Sequence, residues 1–141
     1  MISKIGGPRV WGEEFQMANI LVVDDDPDVL GIVCASLTIC GHQVTRAANG
    51  VAALDILDRL SGKTPDLLLT DVIMPGLNGF NLARMARMRA PLLKILYLTG
   101  FHEMAITMRD QGERLGKLLT KPILPDDLAK EVAAALNDKS E

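Results

Sequence analysis

Aromatic residues are scarce in this chain. Trp11, Phe15, Phe80, Tyr97 and Phe101 are the only five among 141 residues, so any core has to be aliphatic, built from Leu, Ile, Val, Ala and Met. Cysteine is limited to Cys34 and Cys40. Their spacing on a helical stretch sets them about 240° apart around the axis, which argues against a mutual disulfide and for small buried thiols in a reducing compartment. An excess of positive charge is also missing. The formal net charge is −3 and the Lys and Arg residues are scattered, so there is no basic footprint for direct nucleic-acid binding. Long apolar runs are absent, which excludes a bilayer-spanning helix. The first eighteen residues carry Lys4, Arg9, Glu13 and Glu14 around no apolar centre, unlike a signal peptide. The expected location is cytoplasmic, with no membrane partner.

What remains is an ordinary globular balance, 48% hydrophobic and 23% charged, at a length that suits one domain with a real core. Residues 1–18 have little pattern and contain the breaker Gly6-Gly7-Pro8, so they read as an N-terminal extension expected to be mobile. From Asn19 to residue 137 strand-like and helix-like segments alternate, and residues 138–141 form a tail. Asn19–Val23 is an apolar run ending at Asp24, Asp25 and Asp26. Asp26-Pro27 fits a helix cap and first turn, and Gly41 fits the position just past the end of that helix. Gln43–Ala47 is a second strand, followed by a helix capped by Asn49. Asp66–Thr70 is a third strand, ending at Asp71. After the loop Met74–Gly79 comes a helix over 80–89. Lys94–Leu98 is a fourth strand ending at Thr99. A weak helix follows over 103–115, interrupted by Gly112, then a fifth strand, Lys117–Thr120, ending at Lys121, and a last helix, Asp126–Leu136.

Five strand–helix repeats with nearly continuous apolar strands imply an α/β fold, a parallel sheet covered by helices on both faces. Ligands of such sheets sit at the carboxyl ends of the strands. Asp24, Asp25, Asp71, Thr99 and Lys121 all fall there, although each alone has a mundane explanation as a cap, a local hydrogen-bonder or a solvated cation. Three carboxylates brought together repel one another unless neutralised, and a hard divalent cation such as Mg²⁺ with oxygen ligands is the natural neutraliser. A carboxylate beside Mg²⁺ and a Lys is equipped to attack phosphorus, while a Thr hydroxyl can donate to a phosphoryl oxygen.

Four segments then resemble the receiver domain of two-component response regulators: Ile20–Pro27 (ILVVDDDP), Leu69–Gly79 (LTDVIMPGLNG), Tyr97–Gly100 (YLTG) and Leu119–Pro122 (LTKP). The similarity covers about residues 19–137, with the motifs in family order and spacing. It implies a flavodoxin-like doubly wound sheet of order 2-1-3-4-5 with five helices. It also implies Asp71 as phosphoacceptor, Asp24 and Asp25 as Mg²⁺ ligands with Asp71 and the Ile73 backbone carbonyl, and Thr99 and Lys121 as the groups that meet the phosphoryl oxygens. Lys121–Pro122 is expected to be cis, and Gly79 to stand where a side chain would crowd the loop. The implied partners are a histidine kinase or histidine phosphotransfer protein and an unidentified downstream protein. The domain would be a phosphorylation switch rather than an enzyme.

Departures from the family pattern bear on output. Leu118 stands where a receiver often has an aromatic switch residue, and Tyr97 and Phe101 are the available substitutes, Tyr97 being better explained as packing. Ile73 and Phe101 occupy positions that govern hydrolysis of the acyl phosphate. Both are apolar, so neither orients a water and a long-lived phosphoryl group is expected. Ending at Glu141, the chain suits a stand-alone signalling receiver, a phosphate shuttle or sink, or a piece of a hybrid histidine kinase. Two other classes compete. A haloacid-dehalogenase-like phosphohydrolase would use Asp24/Asp26, Thr99, Lys121 and the acidic pair Asp126/Asp127, but it leaves Asp71 to Pro75 unexplained. A degenerate receiver acting only as a docking module would have no need of the intact acidic set.

Overall fold

The computed structural model describes residues 17–60, 62–109 and 115–138. The expected N-terminal extension therefore lies outside the described residues, apart from Met17 and Ala18, as do Gly112 and most of the tail. Ala18 already belongs to the domain. It is buried, and its carbonyl accepts from the Gln43 amide at 2.9 Å.

The elements run β1 (Asn19–Val23), α1 (Pro27–Ile39), β2 (Gln43–Ala47), α2 (Gly50–Arg59), β3 (Leu67–Thr70), α3 (Gly79–Arg89), β4 (Lys94–Thr99), α4 (His102–Arg109), β5 (Gly116–Thr120) and α5 (Pro125–Asn137). The five strands form one parallel sheet of order β2-β1-β3-β4-β5, the flavodoxin-like arrangement expected. Successive side chains on a strand point to opposite faces, and both faces are dry. Leu21, Val23, Leu68, Ile95 and Tyr97 pack with Ala53, Leu54 and Leu57 of α2, Leu82 and Ala86 of α3 and Ala105 of α4. On the other face Ile20, Val22, Leu67, Leu69, Leu96 and Leu98 meet Leu30, Val33 and Leu37 of α1 and Leu128 and Val132 of α5. Burial on two sides explains why the central strands read as unbroken apolar runs rather than alternating ones.

Local chemistry sets the helix boundaries. The Asp26 carboxylate accepts from the amides of Asp28 and Val29, and Pro27 opens α1. At the other end Gly41, at φ +97°, lets its own amide reach Thr38 O at 2.9 Å and the His42 amide reach Leu37 O at 3.1 Å. That pair of bonds satisfies the last carbonyls of the helix. Asn49 caps α2 through the Ala52 amide. Asn78 caps α3 through the Asn81 amide, a cap the sequence reading did not assign. The fourth helix runs His102–Arg109 in the described residues, and residues 110–114 of the 103–115 expected lie outside them. Both cysteines are free, and burial pushes the thiols of Cys34 and Cys40 up.

The order of strands places a crevice where the direction of winding reverses, between β1 and β3. Val23 lies level with Thr70, so the residues that follow them, Asp24 and Asp71, emerge side by side. Thr99 lies level with Thr120, which brings Lys121 out at the same edge.

Candidate functional site

Three of the expected site residues form one cluster. Carboxylate oxygens of Asp24, Asp25 and Asp71 all lie within 4.8 Å of one another. Lys121 Nζ joins two of them, 2.7 Å from Asp24 Oδ2 and 3.2 Å from Asp71 Oδ2. Asp24 and Asp71 are buried while Asp25 is exposed, so the cluster has a dry floor and an open mouth.

Backbone bonds fix the orientation of each carboxylate. The Asp26 amide donates to Asp24 Oδ1 at 2.9 Å, and the Val72 amide donates to Asp71 Oδ1 at 2.7 Å. In each residue one oxygen is thus held by backbone and the other turned toward Lys121. The main chain below is equally tied, with the Asp71 amide donating to Val23 O and the Lys121 amide donating to Thr99 O. Thr99 is fully buried. Its Oγ1 accepts from the Phe101 amide at 3.1 Å, so the hydroxyl presently organises the turn into α4. The Lys121–Pro122 peptide is cis, and a Cβ on Gly79 would lie 2.1 Å from the Asp71 carbonyl oxygen. Both features match what the resemblance implies.

Burial dominates the Asp71 carboxyl and raises its pKa, helped by the negative charge of Asp24 and opposed by Lys121 and the Val72 amide. For Lys121 burial works against the charged form. The hydrogen bond to Asp24 and the charges of Asp71 and Asp24 outweigh it, and the net shift is upward. The charged ammonium is thereby favoured, and one cation faces three carboxyl groups. At a separation near 4.8 Å, two carboxylates repel by roughly 3 kcal/mol at an effective dielectric of about 20, less where water screens Asp25. Oxygen donors with uncompensated negative charge suit a hard divalent cation. Among the described residues, Asp24, Asp25 and Asp71 are the clustered side chains able to hold one.

Other expectations are sorted by the same geometry. Tyr97 is buried edge-on against Phe80, with ring centroids 4.8 Å apart, and is core. Phe101 is 59% exposed and so does not form a buried lid. Leu118 is half-buried against the core. The D-x-D set of the hydrolase alternative is not assembled, because the Asp26 carboxylate is occupied as the α1 cap and Asp126 and Asp127 are exposed in the first turn of α5. A contact between Leu77 and Gly50 and the burial of His42 were not anticipated. The quoted motif that contains Leu77 gives no sign of a partner in α2, and His42 falls in neither a periodic pattern nor a motif.

Comparison with known proteins agrees with this geometry. The model of the response regulator receiver domain matches residues 20–133. The response regulator receiver protein CpdR of Brucella abortus is 37% identical over 120 residues, covering 85% of this chain and 98% of the relative. Protein PilH of Pseudomonas aeruginosa is 35% identical over 128 residues, covering 85% and 98%. Among solved structures, the receiver domain of the hybrid histidine kinase CckA superposes with a TM-score of 0.71 at 32% identity, covering 84% of this chain and 99% of that one. A receiver domain protein from Clostridium thermocellum gives 0.73 at 29% identity, covering 86% and 95%. The phosphohydrolase alternative finds no support among these relatives. With its sheet order, its acidic strand-end cluster and its closest motifs all in agreement with that family model, the chain belongs to the response regulator receiver domain family.

Proposed function

We propose that this receiver takes a phosphoryl group on Asp71 in a Mg²⁺-dependent reaction and signals through the resulting change of shape. The observation that carries the proposal is the convergence of Asp24, Asp25 and Asp71 within 4.8 Å around the Lys121 ammonium. Asp71 is the nucleophile because it sits at the centre of the edge, with one oxygen pinned by the Val72 amide and the other beside a cation. That second oxygen attacks phosphorus. The O–P bond forms as the N–P bond of a phosphohistidine breaks, and the departing imidazole takes up a proton. Lys121 neutralises charge on the equatorial oxygens, and the Thr99 hydroxyl turns to donate to one of them. Asp24 and Asp25, with the Ile73 carbonyl, are the groups that would hold Mg²⁺, which when bound supplies further positive charge at the phosphoryl oxygens.

The phosphodonor is a histidine kinase or histidine phosphotransfer protein, which puts the domain in the cytoplasm. No helix among the described residues is long and apolar enough to cross a membrane. The outer face of α1, which begins beside the acidic cluster, exposes Ile32 and, at its far end, Ile39, and offers such a donor an apolar surface to dock on. The added charge, about −1.5 to −2, redistributes the contacts of Lys121 and Thr99 and so shifts the β4–α4 turn.

The test is intact-mass measurement after incubation with Mg²⁺ and acetyl phosphate. The wild-type chain gains one phosphoryl group, and Asp71→Asn gains none. Equal labelling of both proteins would remove Asp71 from the role. The same measurement followed in time reads the lifetime of the label, expected to be long because Ile73 and Phe101 bring no polar group to an attacking water.

A further inference from the structure

The loop from Val72 to Asn78 joins the acidic edge to α3. Its base is closed by the Gly79 amide donating to Val72 O at 2.9 Å, and Gly76 turns it at φ +78°. Val72 and Met74 are buried, and Ile73 and Leu77 are half-buried against the same core. These bonds tie the loop to the two elements it connects. A third attachment comes from elsewhere.

Gly50 is the first residue of α2 and is buried. A Cβ there would lie 2.9 Å from Leu77 Cδ2, 3.0 Å from Leu77 Cβ and 3.2 Å from Leu77 Cγ, so the Leu77 side chain rests on bare backbone. Gly50 is not among the glycines with positive φ. What the structure uses at this position is the missing side chain, not an unusual backbone conformation. An Ala here would meet no conformational objection and would favour the helix, yet it would push on Leu77 down to its Cβ. α2 itself is anchored by the Asn49 cap and by Ala53, Leu54 and Leu57 in the core. The loop is thereby referenced to a helix that carries no residue of the site.

We propose that Leu77, seated on Gly50, is a positioning residue that holds the loop carrying the Ile73 carbonyl in register with Asp24, Asp25 and Asp71. This rests on the phosphoacceptor reading, which makes that carbonyl a ligand of the cation. Supporting groups of this kind typically change metal affinity by about 10- to 100-fold when altered.

Titration calorimetry of the full chain with Mg²⁺ alone tests it. Leu77→Ala and Gly50→Ala each weaken Mg²⁺ binding by roughly tenfold or more while unfolding remains cooperative, and Leu77→Met stays near wild type. The double variant Gly50→Ala/Leu77→Ala is no weaker than the worse single one, because both changes break one contact. Amides of 73–78 exchange faster in Leu77→Ala, with or without the cation. If Leu77→Ala and Gly50→Ala lower the melting temperature but bind Mg²⁺ as wild type does, the contact is packing only and the proposal falls. Should Gly50→Ala fail to fold, Leu77→Ala, which alters a half-buried side chain, decides alone. A wild-type chain that binds no Mg²⁺ would sink the phosphoacceptor reading itself, an outcome distinct from normal binding by all variants.

Discussion

At the scale of single residues the chemistry was legible where a side chain ends a strand. Asp24, Asp71, Thr99 and Lys121 each close an apolar run, and a parallel sheet brings such ends together. Leu77 and Gly50 were not legible, because their contact joins a loop to a distant helix start and leaves no periodicity behind. His42 was not either. It lies in Gly41-His42-Gln43, a stretch with no motif, yet it is buried, and its Nδ1 accepts from the Ala18 amide at 3.1 Å. That bond requires the neutral ring with its proton on Nε2. Burial lowers its pKa from 6.5, so between the folded value and 6.5 the unfolded chain binds more protons than the folded one. Stability from this residue is therefore fully present above about pH 6.5 and is lost as pH falls through the folded pKa. Urea unfolding at pH 7.5 and 5.5 is expected to show a larger loss on acidification for the wild type than for His42→Gln, with a slope difference below about 1.4 kcal/mol per pH unit, the limit for one proton. Equal losses would mean that His42 titrates alike in both states.

At the scale of elements, α1 could be read from end to end because capping chemistry marks both of its boundaries, Asp26-Pro27 and Gly41. The fourth helix was legible only as a weak one. Gly112 interrupts the sequence pattern at a cost of about 1 kcal/mol against Ala, and it lies outside the described residues, in which the helix runs His102–Arg109. Among its described side chains the hold on the sheet is slight. Ala105 is buried and Ile106 half-buried, while Phe101 and Met104 face solvent. α5 by contrast runs thirteen residues and buries Leu128 and Val132. Few buried contacts mean a low free energy of local opening, so amides of 105–109 are expected to exchange well before those of 128–136. Exchange equally slow in the two helices would contradict this. A loosely held α4 also bears on output. The turn that enters it is held by the Thr99 hydroxyl, the group that a phosphoryl oxygen on Asp71 would recruit under the proposed function.

Across the whole molecule, stability and function pull against each other at one edge. Two apolar layers hold the sheet from both sides, and that scaffold keeps three carboxylates closer than they would sit in a free chain. Lys121 relieves Asp24 and Asp71 but does not pair with the exposed Asp25, and the cluster stays negative. Sites built for ligands commonly carry such unfavourable charge, and replacing one member commonly stabilises the fold while abolishing what it does. Asp25→Asn is accordingly expected to melt at a higher temperature than wild type in chelator, at low salt, where repulsion is least screened. Mg²⁺ then reverses the order. A ligand that binds only the folded state at a hundred times its dissociation constant adds about 2.7 kcal/mol, several degrees of melting temperature for a domain of this size, and the wild type gains it while Asp25→Asn does not. Calorimetric melts of both proteins, with chelator and with saturating Mg²⁺, decide the matter. Parallel shifts in the two would mean that the cation is not held by this cluster, and a wild type already the more stable in chelator would mean that its carboxylates do not repel.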